Sequence, residues 1–471
     1  MSRAFLMDIR SAVLALGAEL FPKDSEGGFF SVAVDSRKVL PGSLFIALRG
    51  LQSDGHRFIR EAFDAGAAAA MVTKKGMDEA GLDPAVLANE KKMVFLVVKD
   101  TLKGLQDLAA AYLDRFPRLL RIGITGSSGK TTTKEIAASI IGKEKNVVIN
   151  PGNLNSETGL PLAAFGVRDH HEAGIFEAGM NRKGEIAELA AVLKPRIALI
   201  TNIGPAHIGI LGSLENIAEE KKQIFSQFTG TETAMIPEDD PFRDYLAQDV
   251  KGRVVFYGQK NLESSGKLNM ILDRGLGGTE VTWEGIPTGF GLPGKHNVKN
   301  ALAAVSLANE AGIGAASIRN GLSSVKGLFG RSEILRGKTT VIRDCYNSNP
   351  DSASEALAFC DSLDWQGRRV YILGSMLELG DNEAEEHRKI GKLLGESKAN
   401  AVFLYGKEML FAAEVLKEEK RPFFHTTSME QLSAVVKKEI TPGDLVLLKG
   451  SRGCALEALS GVVFMEEAGV F

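Results

Sequence analysis

The chain has 471 residues, of which 44% are hydrophobic and 24% are charged, and its formal net charge is −3. A chain of this length predicts about two to four domains, and its near-neutral charge argues against a nucleic-acid-binding protein. No apolar run is long enough to span a membrane, and the 3 cysteines are too far apart for a disulfide framework or a zinc site, which is typical of a reducing cytoplasm.

Residues 1–118 are predicted to form a small α/β domain that ends at a Phe-Pro-Arg linker. Residues 1–20 lack the apolar core and the cleavage site of a signal peptide, and their pattern predicts an amphipathic helix. The other predicted elements of this segment are strands over 43–48 and 94–98, with an alanine-rich helix over 62–70 between them.

Residues 119–327 alternate apolar strands with helices, which predicts a central domain built on a doubly wound, mainly parallel sheet. A hinge is predicted at 327–330, and from 328 to 471 the alternation restarts as a Rossmann-like α/β domain. The predicted strands are 122–125, 147–149, 174–177, 197–202, 233–236 and 254–257, then 340–344, 370–373, 401–404 and 444–448, with a helix over 296–311 that closes the central domain.

A variant phosphate-binding loop is the strongest functional signal in the chain. Gly126 and Gly129 allow backbone N–H groups to turn toward an anion at the start of a helix. Lys130 is placed to reach the β- and γ-phosphates of a nucleotide, and the Thr131 hydroxyl to ligate Mg²⁺. The strict motif has Gly where this chain has Ile124, and a plain glycine-rich turn is the alternative interpretation. The predicted ATP-binding loop comprises Thr125, Gly126, Ser127, Ser128, Gly129, Lys130 and Thr131.

Polar side chains also follow other strands of the central segment. Glu177 ends one strand, and His207 follows the strand that ends at Asn202. Because ligands bind beyond the carboxyl ends of strands in open α/β sheets, these groups are predicted to be Mg²⁺ ligands or substrate contacts. A solvated charge at 177 and an ordinary loop histidine at 207 are the alternatives.

Lys221 lies on the apolar face of a helix predicted over 216–228, whereas Lys222 points away from that face. Burial would lower the pKa of Lys221 and leave a free amine, which can take up CO₂ to form a carbamate that binds metal as a carboxylate does. Periodicity alone favours the alternative, in which Lys221 extends to the rim of the face or pairs with Glu220.

Further polar groups cluster in the last part of the chain. His296 and Asn300 lie one turn apart on a helix, where Asn300 could read the edge of a purine, although a helix cap by Asn297 is equally compatible. Arg331 lies at the predicted hinge. Polar and cationic groups also follow two predicted strands, in the segments 344–350 and 449–452.

Taken together, these motifs resemble those of the Mur ligases, the ATP-dependent amide-forming enzymes of peptidoglycan synthesis. The block at 177–186, the segment 204–213 and Met-Leu-Glu-Leu-Gly at 376–380 are similar to the branch that adds D-alanyl-D-alanine, and the Asp-Asn-Pro-Arg motif of the diaminopimelate-adding branch is absent. The other matching motifs are Asp35-Ser36-Arg37 with 44–50, the loop 125–131, Asn153-Leu154-Asn155 with 159–161, Lys221, His296 with Asn300, Gly330-Arg331, Asp344 with Tyr346-Asn347, and 449–452.

The resemblance implies an ATP-dependent ligase that adds D-alanyl-D-alanine to UDP-N-acetylmuramoyl-tripeptide through an acyl phosphate, in the cytoplasmic synthesis of peptidoglycan precursors. It implies ATP and Mg²⁺ as cofactors, and a monomer that neither binds nucleic acid nor inserts into a membrane. Lys222 and Ser375 depart from the pattern of this branch, which usually has Gly and Asp at these positions.

The resemblance also implies a role for each matching residue. The catalytic set is Lys130, Glu177, His207 and Lys221; the metal ligands are Thr131, Glu177, His207 and a carbamylated Lys221; the substrate contacts are Asp35, Ser36, Arg37 and Asn155; and the ATP contacts beyond the loop are His296, Asn300, Arg331 and Asn347.

Two rival functions are compatible with part of this pattern. One is another ligase with the same loop, such as a folylpolyglutamate synthetase, which would use a folate. The other is a nucleotide-dependent switch that changes partners without ligation, but this hypothesis explains neither Lys221 nor Asp35-Ser36-Arg37.

Overall fold

The computed structural model of the chain describes residues 5–50, 53–91 and 93–466. Within these ranges, no helix combines the length and the apolar character needed to cross a bilayer. The chain divides into two compact units, each assembled from separate stretches of sequence. The first unit comprises Met1–Gly123, Asn146–Ile197 and Gln223–Glu232, and the second comprises Ile124–Lys145, Ala198–Lys222 and Thr233–Phe471.

The N-terminal segment is built on a five-stranded sheet of order β2-β7-β6-β5-β4, in which β4 to β7 are parallel and β2 is antiparallel to β7. A short antiparallel pair, β1 and β3, lies outside that sheet. The strands are β1 (Met7–Asp8), β2 (Glu19–Phe21), β3 (Gly28–Phe29), β4 (Ser31–Ala33), β5 (Ser43–Ile46), β6 (Ala69–Thr73) and β7 (Phe95–Val98), and the helices are α1 (Ile9–Leu16), α2 (Ile59–Asp64), α3 (Lys74–Glu79), α4 (Pro84–Lys91) and α5 (Thr101–Asp114).

Two helix predictions in this segment are wrong in extent. The alanine-rich stretch 62–70 is split, because α2 ends at Asp64, Gly66 turns the chain with φ +96°, and Ala69 opens the buried strand β6. Burial between two neighbouring strands overrides the helix preference of alanine here. The N-terminal helix is shorter than predicted: α1 begins after Asp8, whose side chain accepts from the Ser11 N–H, and residues 1–4 lie outside the described ranges.

The six strands predicted for the central segment are all present, as β8 to β13, in one sheet of order β13-β12-β11-β8-β10-β9. The pairs β9–β10 and β12–β13 are parallel, as expected for βαβ units. The elements are β8 (Leu120–Thr125), β9 (Val147–Ile149), β10 (Ala173–Glu177), β11 (Ile197–Ile200), β12 (Thr233–Pro237) and β13 (Arg253–Tyr257), with α6 (Lys130–Ile141), α7 (Gly159–Ala164), α8 (Glu185–Leu193), α9 (Ile208–Leu211), α10 (Leu214–Lys222), α11 (Arg243–Ala247) and α12 (Gln259–Ser264).

A three-stranded antiparallel sheet follows, which the sequence reasoning missed. It contains β14 (Leu268–Asp273), β15 (Thr279–Trp283) and β16 (Ile286–Phe290), and it precedes α13 (Lys295–Glu310) and α14 (Ala315–Ser323). Glu284 and Gly285 have φ values of +47° and +76°, the conformation of a two-residue type I′ hairpin turn. Trp283 and Phe290 are each only 1% exposed, so this sheet has an apolar inner face.

The C-terminal segment has the predicted Rossmann-like organisation, in a six-stranded sheet of order β17-β18-β22-β19-β20-β21. All its strands are parallel except β17, and the fully buried run Leu445–Leu448 is typical of a parallel strand covered on both faces. The elements are β17 (Glu333–Arg336), β18 (Thr340–Asp344), β19 (Arg369–Gly374), β20 (Ala401–Tyr405), β21 (Phe424–Thr426) and β22 (Leu445–Lys449), with α15 (Pro350–Ser362), α16 (Glu383–Glu396), α17 (Leu410–Glu418), α18 (Met429–Glu439) and α19 (Ser460–Val463).

Candidate active site

The two glycines of the phosphate-binding loop occupy positions that no other residue could take without displacing a neighbour. Gly126 has φ +148°, and a Cβ there would lie 1.8 Å from the Thr201 hydroxyl. Gly129 has φ +76°, and a Cβ there would lie 2.1 Å from Oδ1 of Asn300. Helix α6 begins directly afterwards at Lys130, so its N-terminal N–H groups start at the loop. Although the glycines are spaced differently from those of the strict motif, they therefore still allow a tight loop that leads directly into α6.

The loop is held by the segment that follows β11. The Asn202 side chain accepts from the Ser128 N–H (2.9 Å) and donates to the Ser128 hydroxyl (3.1 Å). The Ser127 hydroxyl donates to the Gly204 carbonyl and accepts from the Gly204 N–H, both at 2.9 Å. Thr201 donates to the Ser128 carbonyl at 2.6 Å. The sequence predicted Asn202 only as the end of a strand and gave no role to Thr201. Both residues lie at the carboxyl end of a strand, which is where ligands bind in open α/β sheets.

Two lysines converge on one carbonyl of the loop. Lys130 Nζ donates to the Gly126 carbonyl (2.8 Å) and to the Ser127 carbonyl (3.3 Å). Lys221 Nζ donates to the same Gly126 carbonyl at 2.9 Å, and this side chain is only 1% exposed. Burial lowers the pKa of Lys221 well below its usual value, and the charge of Lys130 lowers it further, whereas Glu220 acts in the opposite direction.

The predicted faces of the two adjacent lysines are therefore confirmed, but the rim position that periodicity alone favoured for the Lys221 side chain is wrong. Lys221 points inward and does not extend to the rim of the apolar face. Lys222 projects toward the surface, where its ammonium donates to the Tyr245 carbonyl (2.8 Å) and lies 4.7 Å from the centre of the Tyr245 ring. The helix ends earlier than predicted, because α10 stops at Lys222 and a 3₁₀ turn continues to Phe225.

Arg331 reaches the start of helix α6. Its Nη2 donates to the Thr131 hydroxyl at 3.0 Å, and its guanidinium lies 4.1 Å from the centre of the Tyr346 ring. Asn300 is close to the same helix, where its Oδ1 lies 3.4 Å from the Thr133 hydroxyl. The loop thus has a cationic and an amide side chain beside it, which could contact the phosphates and the base of a nucleotide.

His296 lies on the same helix as Asn300, but its contacts are different. Its Nε2 lies 3.0 Å from the Ser332 hydroxyl, and burial lowers its pKa below the usual value. Asn297 is not the helix cap: Gly294 occupies that position, and the Asn297 amide donates to the Pro293 carbonyl at 2.8 Å. The helix-cap alternative for Asn297 is therefore wrong. The His296 side chain is half-buried and makes a polar contact with Ser332.

A buried ion pair joins the ends of β18 and β22. Lys449 Nζ lies 2.8 Å from Asp344 Oδ2 and donates to the Asn347 carbonyl at 3.0 Å. Burial is the largest influence on the pKa of Asp344 and would raise it, but the charges of Lys449 and His296 and the hydrogen bonds from Lys449 and Ser332 together lower the pKa below its usual value. The exposed Asn347 side chain accepts from the Ser348 N–H (2.9 Å). This pair fixes the loop that carries Asn347.

His207 is close to a carboxylate that the sequence reasoning did not select. Its Nδ1 lies 3.0 Å from Oε2 of Glu378, in the turn after β19. The contact with His207 is the largest cause that lowers the pKa of Glu378 below its usual value, although partial burial opposes it. The sequence singles out Glu378 only as part of the Met-Leu-Glu-Leu-Gly motif. Its place after a predicted strand of the C-terminal segment also indicates a polar group at the edge of that sheet.

In the other compact unit, Glu177 is brought together with Asn155. Glu177 is 2% exposed, and its Oε1 accepts from the Asn155 amide at 2.7 Å. Asn150 fixes the main chain of Glu177 by accepting from its N–H (2.9 Å) and donating to its carbonyl (3.0 Å). The solvated-charge alternative for Glu177 is therefore wrong, and Asn150 is a supporting residue that the sequence reasoning missed.

The predicted substrate motif Asp35-Ser36-Arg37 lies at the surface of that same unit. Arg37 forms two parallel hydrogen bonds to the Asp35 carboxylate, at 2.9 and 2.8 Å, and these hold the pKa of Asp35 at about 2. The Arg37 side chain is 86% exposed. Ser36 donates to Glu61 at 3.3 Å. The motif therefore presents a paired guanidinium and carboxylate to solvent.

Three protein-family models match the chain in consecutive blocks. They are the Mur ligase family catalytic domain over residues 30–113, the Mur ligase middle domain over 124–308 and the Mur ligase glutamate ligase domain over 330–452. The chain is 44% identical to a UDP-N-acetylmuramoyl-tripeptide–D-alanyl-D-alanine ligase of Treponema pallidum, with 96% of this chain and 97% of the relative covered. It is 36% identical to the enzyme of that name from Bacillus subtilis, with 95% and 96% covered.

Solved structures show the same similarity. A crystal structure of MurF from Acinetobacter baumannii has a TM-score of 0.85 at 27% identity and covers 97% of this chain and 99% of that one. MurF ligase from Thermotoga maritima, in complex with ADP, has a TM-score of 0.77 at 26% identity, with 92% and 96% covered. Folylpolyglutamate synthase of Mycobacterium tuberculosis reaches a TM-score of 0.60 at 17% identity, with 78% and 95% covered, which indicates a shared fold only.

Proposed function

The chain belongs to the Mur ligase family, and on that premise we propose that it is an ATP-dependent ligase that joins D-alanyl-D-alanine to UDP-N-acetylmuramoyl-tripeptide. The observation that carries the chemistry is the convergence of Lys130 and the buried Lys221 on the Gly126 carbonyl of the loop. The observation that favours this substrate over a folate is identity to D-alanyl-D-alanine ligases along nearly the whole chain.

The backbone of the loop and the charges beside it support ATP binding. The cradle is lined by backbone at Gly126 and Gly129, where a Cβ would overlap a neighbouring side chain. Lys130 and Arg331 supply cationic groups at the start of α6, where the helix N-terminus also favours an anion. We assign the whole loop, His296, Asn300, Arg331 and Asn347 to ATP binding.

Mg²⁺ would be held by the Thr131 hydroxyl, the Glu177 carboxylate, the His207 imidazole and a carbamate on Lys221. Within the described ranges, no three His, Cys, Asp or Glu side chains cluster as a ready-made metal site. Mg²⁺ commonly binds through few protein carboxylates together with substrate phosphates. The buried amine of Lys221 fits the carbamate, since its pKa is lowered. When bound, Mg²⁺ would spread the negative charge of the transferring phosphoryl group.

The reaction follows from these assignments. A carboxylate oxygen of the tripeptide attacks the γ-phosphorus of ATP, ADP leaves, and an acyl phosphate forms. Lys130 stabilises the charge on the phosphoryl oxygens, and Arg331 adds a second cation at the same place. The dipeptide amine, as the free base, then attacks the carbonyl carbon of the acyl phosphate. The C–N bond forms as the C–O bond breaks, and phosphate leaves with the electron pair of that bond and, overall, with the proton that the nitrogen gives up. Exclusion of water protects the acyl phosphate from hydrolysis.

The N-terminal segment supplies the contacts to the UDP-linked substrate in this proposal. Asp35, Ser36 and Arg37 of this segment would bind the UDP group, and Asn155 of the central segment would also contact the substrate. The proposed domains are 1–118 for this substrate, 119–327 for ATP and 328–471 for the Rossmann-like part. We further propose that the protein acts as a monomer in the cytoplasm, in the synthesis of peptidoglycan precursors.

Phosphate release tests the function. The purified protein should release phosphate from ATP only when a UDP-muramyl tripeptide and D-alanyl-D-alanine are both present, and mass spectrometry should show the matching pentapeptide product. Assays with the diaminopimelate and lysine forms of the tripeptide would identify the preferred third residue. Turnover with a folate instead would favour a folylpolyglutamate synthetase. Hydrolysis that depends only on a protein partner would favour the switch.

A further inference from the structure

The turn after β19 places the Glu378 carboxylate beside His207, close enough to the phosphate-binding loop for the charge of Lys130 to lower the pKa of this carboxylate. Glu378 Oε2 lies 3.0 Å from Nδ1 of His207. The Glu378 side chain is 55% exposed, so a ligand can reach it. None of the steps assigned above uses this carboxylate.

The position of Glu378 is fixed by its own backbone and by a close approach of two glycines. Both Glu378 and His207 have positive φ values, +68° and +64°, which are uncommon for residues with a side chain. A Cβ at Gly209 would lie 2.4 Å from the Gly380 nitrogen, and one at Gly380 would lie 2.5 Å from the Gly209 Cα. Only glycine at both positions permits this approach, which brings the turn against α9.

The start of the turn is fixed as well. The Met376 N–H donates to Nε2 of His387 at 3.1 Å, and the Leu377 N–H donates to the Ser451 hydroxyl at 3.0 Å. His387 is fully buried and Ser451 is 3% exposed, so both acceptors belong to the packed interior. Glu378 is therefore an exposed acid on a tightly held turn, which is the arrangement of a pre-organised binding group.

A carboxylate near the loop would offset the repulsion between the cationic groups of the loop and an incoming ammonium. Lys130 and Lys221 converge on the Gly126 carbonyl, and Arg331 contacts Thr131. Cationic groups suit ATP and an acyl phosphate, but they repel an incoming ammonium group. A substrate that carries an ammonium needs a negative group at the same edge, and Glu378 supplies one.

Apolar side chains flank this carboxylate along the chain. Leu377 is 39% exposed and Ile210 is 47% exposed, although both are large hydrophobic residues. Leu377 precedes Glu378, and Ile210 follows the glycine that contacts Gly380. An exposed apolar pair beside a carboxylate matches a small dipeptide that has one ammonium group and two methyl side chains.

We propose that Glu378 binds the ammonium group of the incoming D-alanyl-D-alanine, with Leu377 and Ile210 as apolar surface for its methyl groups. This proposal rests on the proposed function and adds the residue that recognises the amine. Glu378 contacts the substrate directly in this role and orients the nitrogen toward the acyl phosphate, and the ammonium loses one proton to solvent before the nitrogen attacks.

The test compares Glu378→Gln with wild type in two separate steps. Loss of a charge-assisted hydrogen bond should raise the KM for D-alanyl-D-alanine about 10- to 100-fold. Formation of the acyl phosphate without dipeptide, trapped by hydroxylamine as a hydroxamate, should stay within about twofold because the amine takes no part in it. Asp381→Asn is the matched control, since it removes one exposed carboxylate of the same turn region and should change neither step.

A dipeptide analogue without the amine makes the test specific for the ammonium. Propionyl-D-alanine should inhibit wild type and Glu378→Gln with equal inhibition constants, because it has no group for Glu378 to bind. An unchanged KM for the dipeptide, or an equal loss of analogue binding, would overturn the proposal. Loss of hydroxamate formation in Glu378→Gln would assign the residue to His207 and the first step instead. Wild-type protein that forms hydroxamate but no amide with any dipeptide would refute the proposed function itself.

Discussion

The phosphate-binding loop and the Asp35-Ser36-Arg37 motif carry charge in opposite ways. At the loop, Lys221 is buried and contacts backbone, and the loop itself is held by side chains from the segment after β11. At the motif, Arg37 is exposed and pairs with Asp35 two residues away. The loop is held in place by the protein itself, whereas the motif is an exposed charge pair that the proposed UDP substrate would have to rearrange. We therefore expect substitutions at the loop to affect the chemical step, and substitutions at the motif to affect one substrate's binding.

The largest effect is expected for Lys221→Ala. Activity should fall about 10³-fold or more, because the proposed carbamate supplies an anionic oxygen to the metal. Added acetate should restore part of the activity by entering the space that the side chain leaves, as measured by phosphate release over a range of acetate concentrations.

Lys222→Ala is the control for this variant. The Lys222 ammonium contacts the Tyr245 carbonyl and ring at the surface, and its removal should leave the activity nearly unchanged. Full activity of Lys221→Ala without acetate would refute the carbamate. So would electron density that shows a bare amine at Lys221 in active crystals equilibrated with bicarbonate.

Lys130→Ala should lower the rate of ligation about 10²- to 10³-fold without unfolding the protein. The ammonium is proposed to act on phosphoryl oxygens as their charge changes, so the rate should fall more than ATP binding does. Rapid-quench measurement of acyl phosphate formation would show this directly. Lys143→Ala is a suitable control, because its ammonium contacts the Ser324 hydroxyl at the surface. If the ligation rate of Lys130→Ala stayed within a few-fold of the wild-type rate, this would argue against the assignment of the loop to ATP binding.

Arg37→Ala should raise the KM for the UDP-muramyl substrate about 10- to 100-fold and leave that for ATP unchanged. The expected loss is that of a charge-assisted hydrogen bond, about 1.5–3 kcal/mol. Steady-state kinetics with each substrate varied in turn would separate the two constants. Lys38→Ala removes the neighbouring exposed cation and should have little effect. A selective rise in the KM for ATP would place the UDP site elsewhere.

Gly129→Ala separates backbone strain from the shape of the cradle. Gly129 and Gly312 have the same φ, +76°, but a Cβ at Gly312 would meet no atom within 4 Å. Both variants should lose about 1 kcal/mol of stability from the strained conformation. Only Gly129→Ala should also weaken ATP binding, about fivefold or more, because its Cβ would displace Asn300. Thermal unfolding and nucleotide titration of the two variants would test this, and equal affinity would contradict the proposed cradle.

Local pattern was sufficient for the loop, for most strands and for the position of Lys221 on the apolar face of its helix, although periodicity alone favoured a side chain that extends to the rim or pairs with Glu220. These features depend on residues close together in sequence: an apolar run, two glycines and a lysine, or a helical period of apolar positions. The alanine-rich stretch at 62–70 shows where such reasoning stops. Alanine is compatible with both a helix and a strand. Here the turn at Gly66 ends the helical part, and the burial of Ala69 favours a strand after it.

The contacts that complete the candidate site depend on order in space. Asn150 with Glu177, and Glu378 with His207, join residues that are far apart in the chain. Each residue follows a strand or lies near one, so its sequence position predicted an edge of a sheet but not its neighbour at that edge. The neighbour is set by which strands pair and by where two glycine backbones can approach, because packing between distant segments is a property of the folded chain.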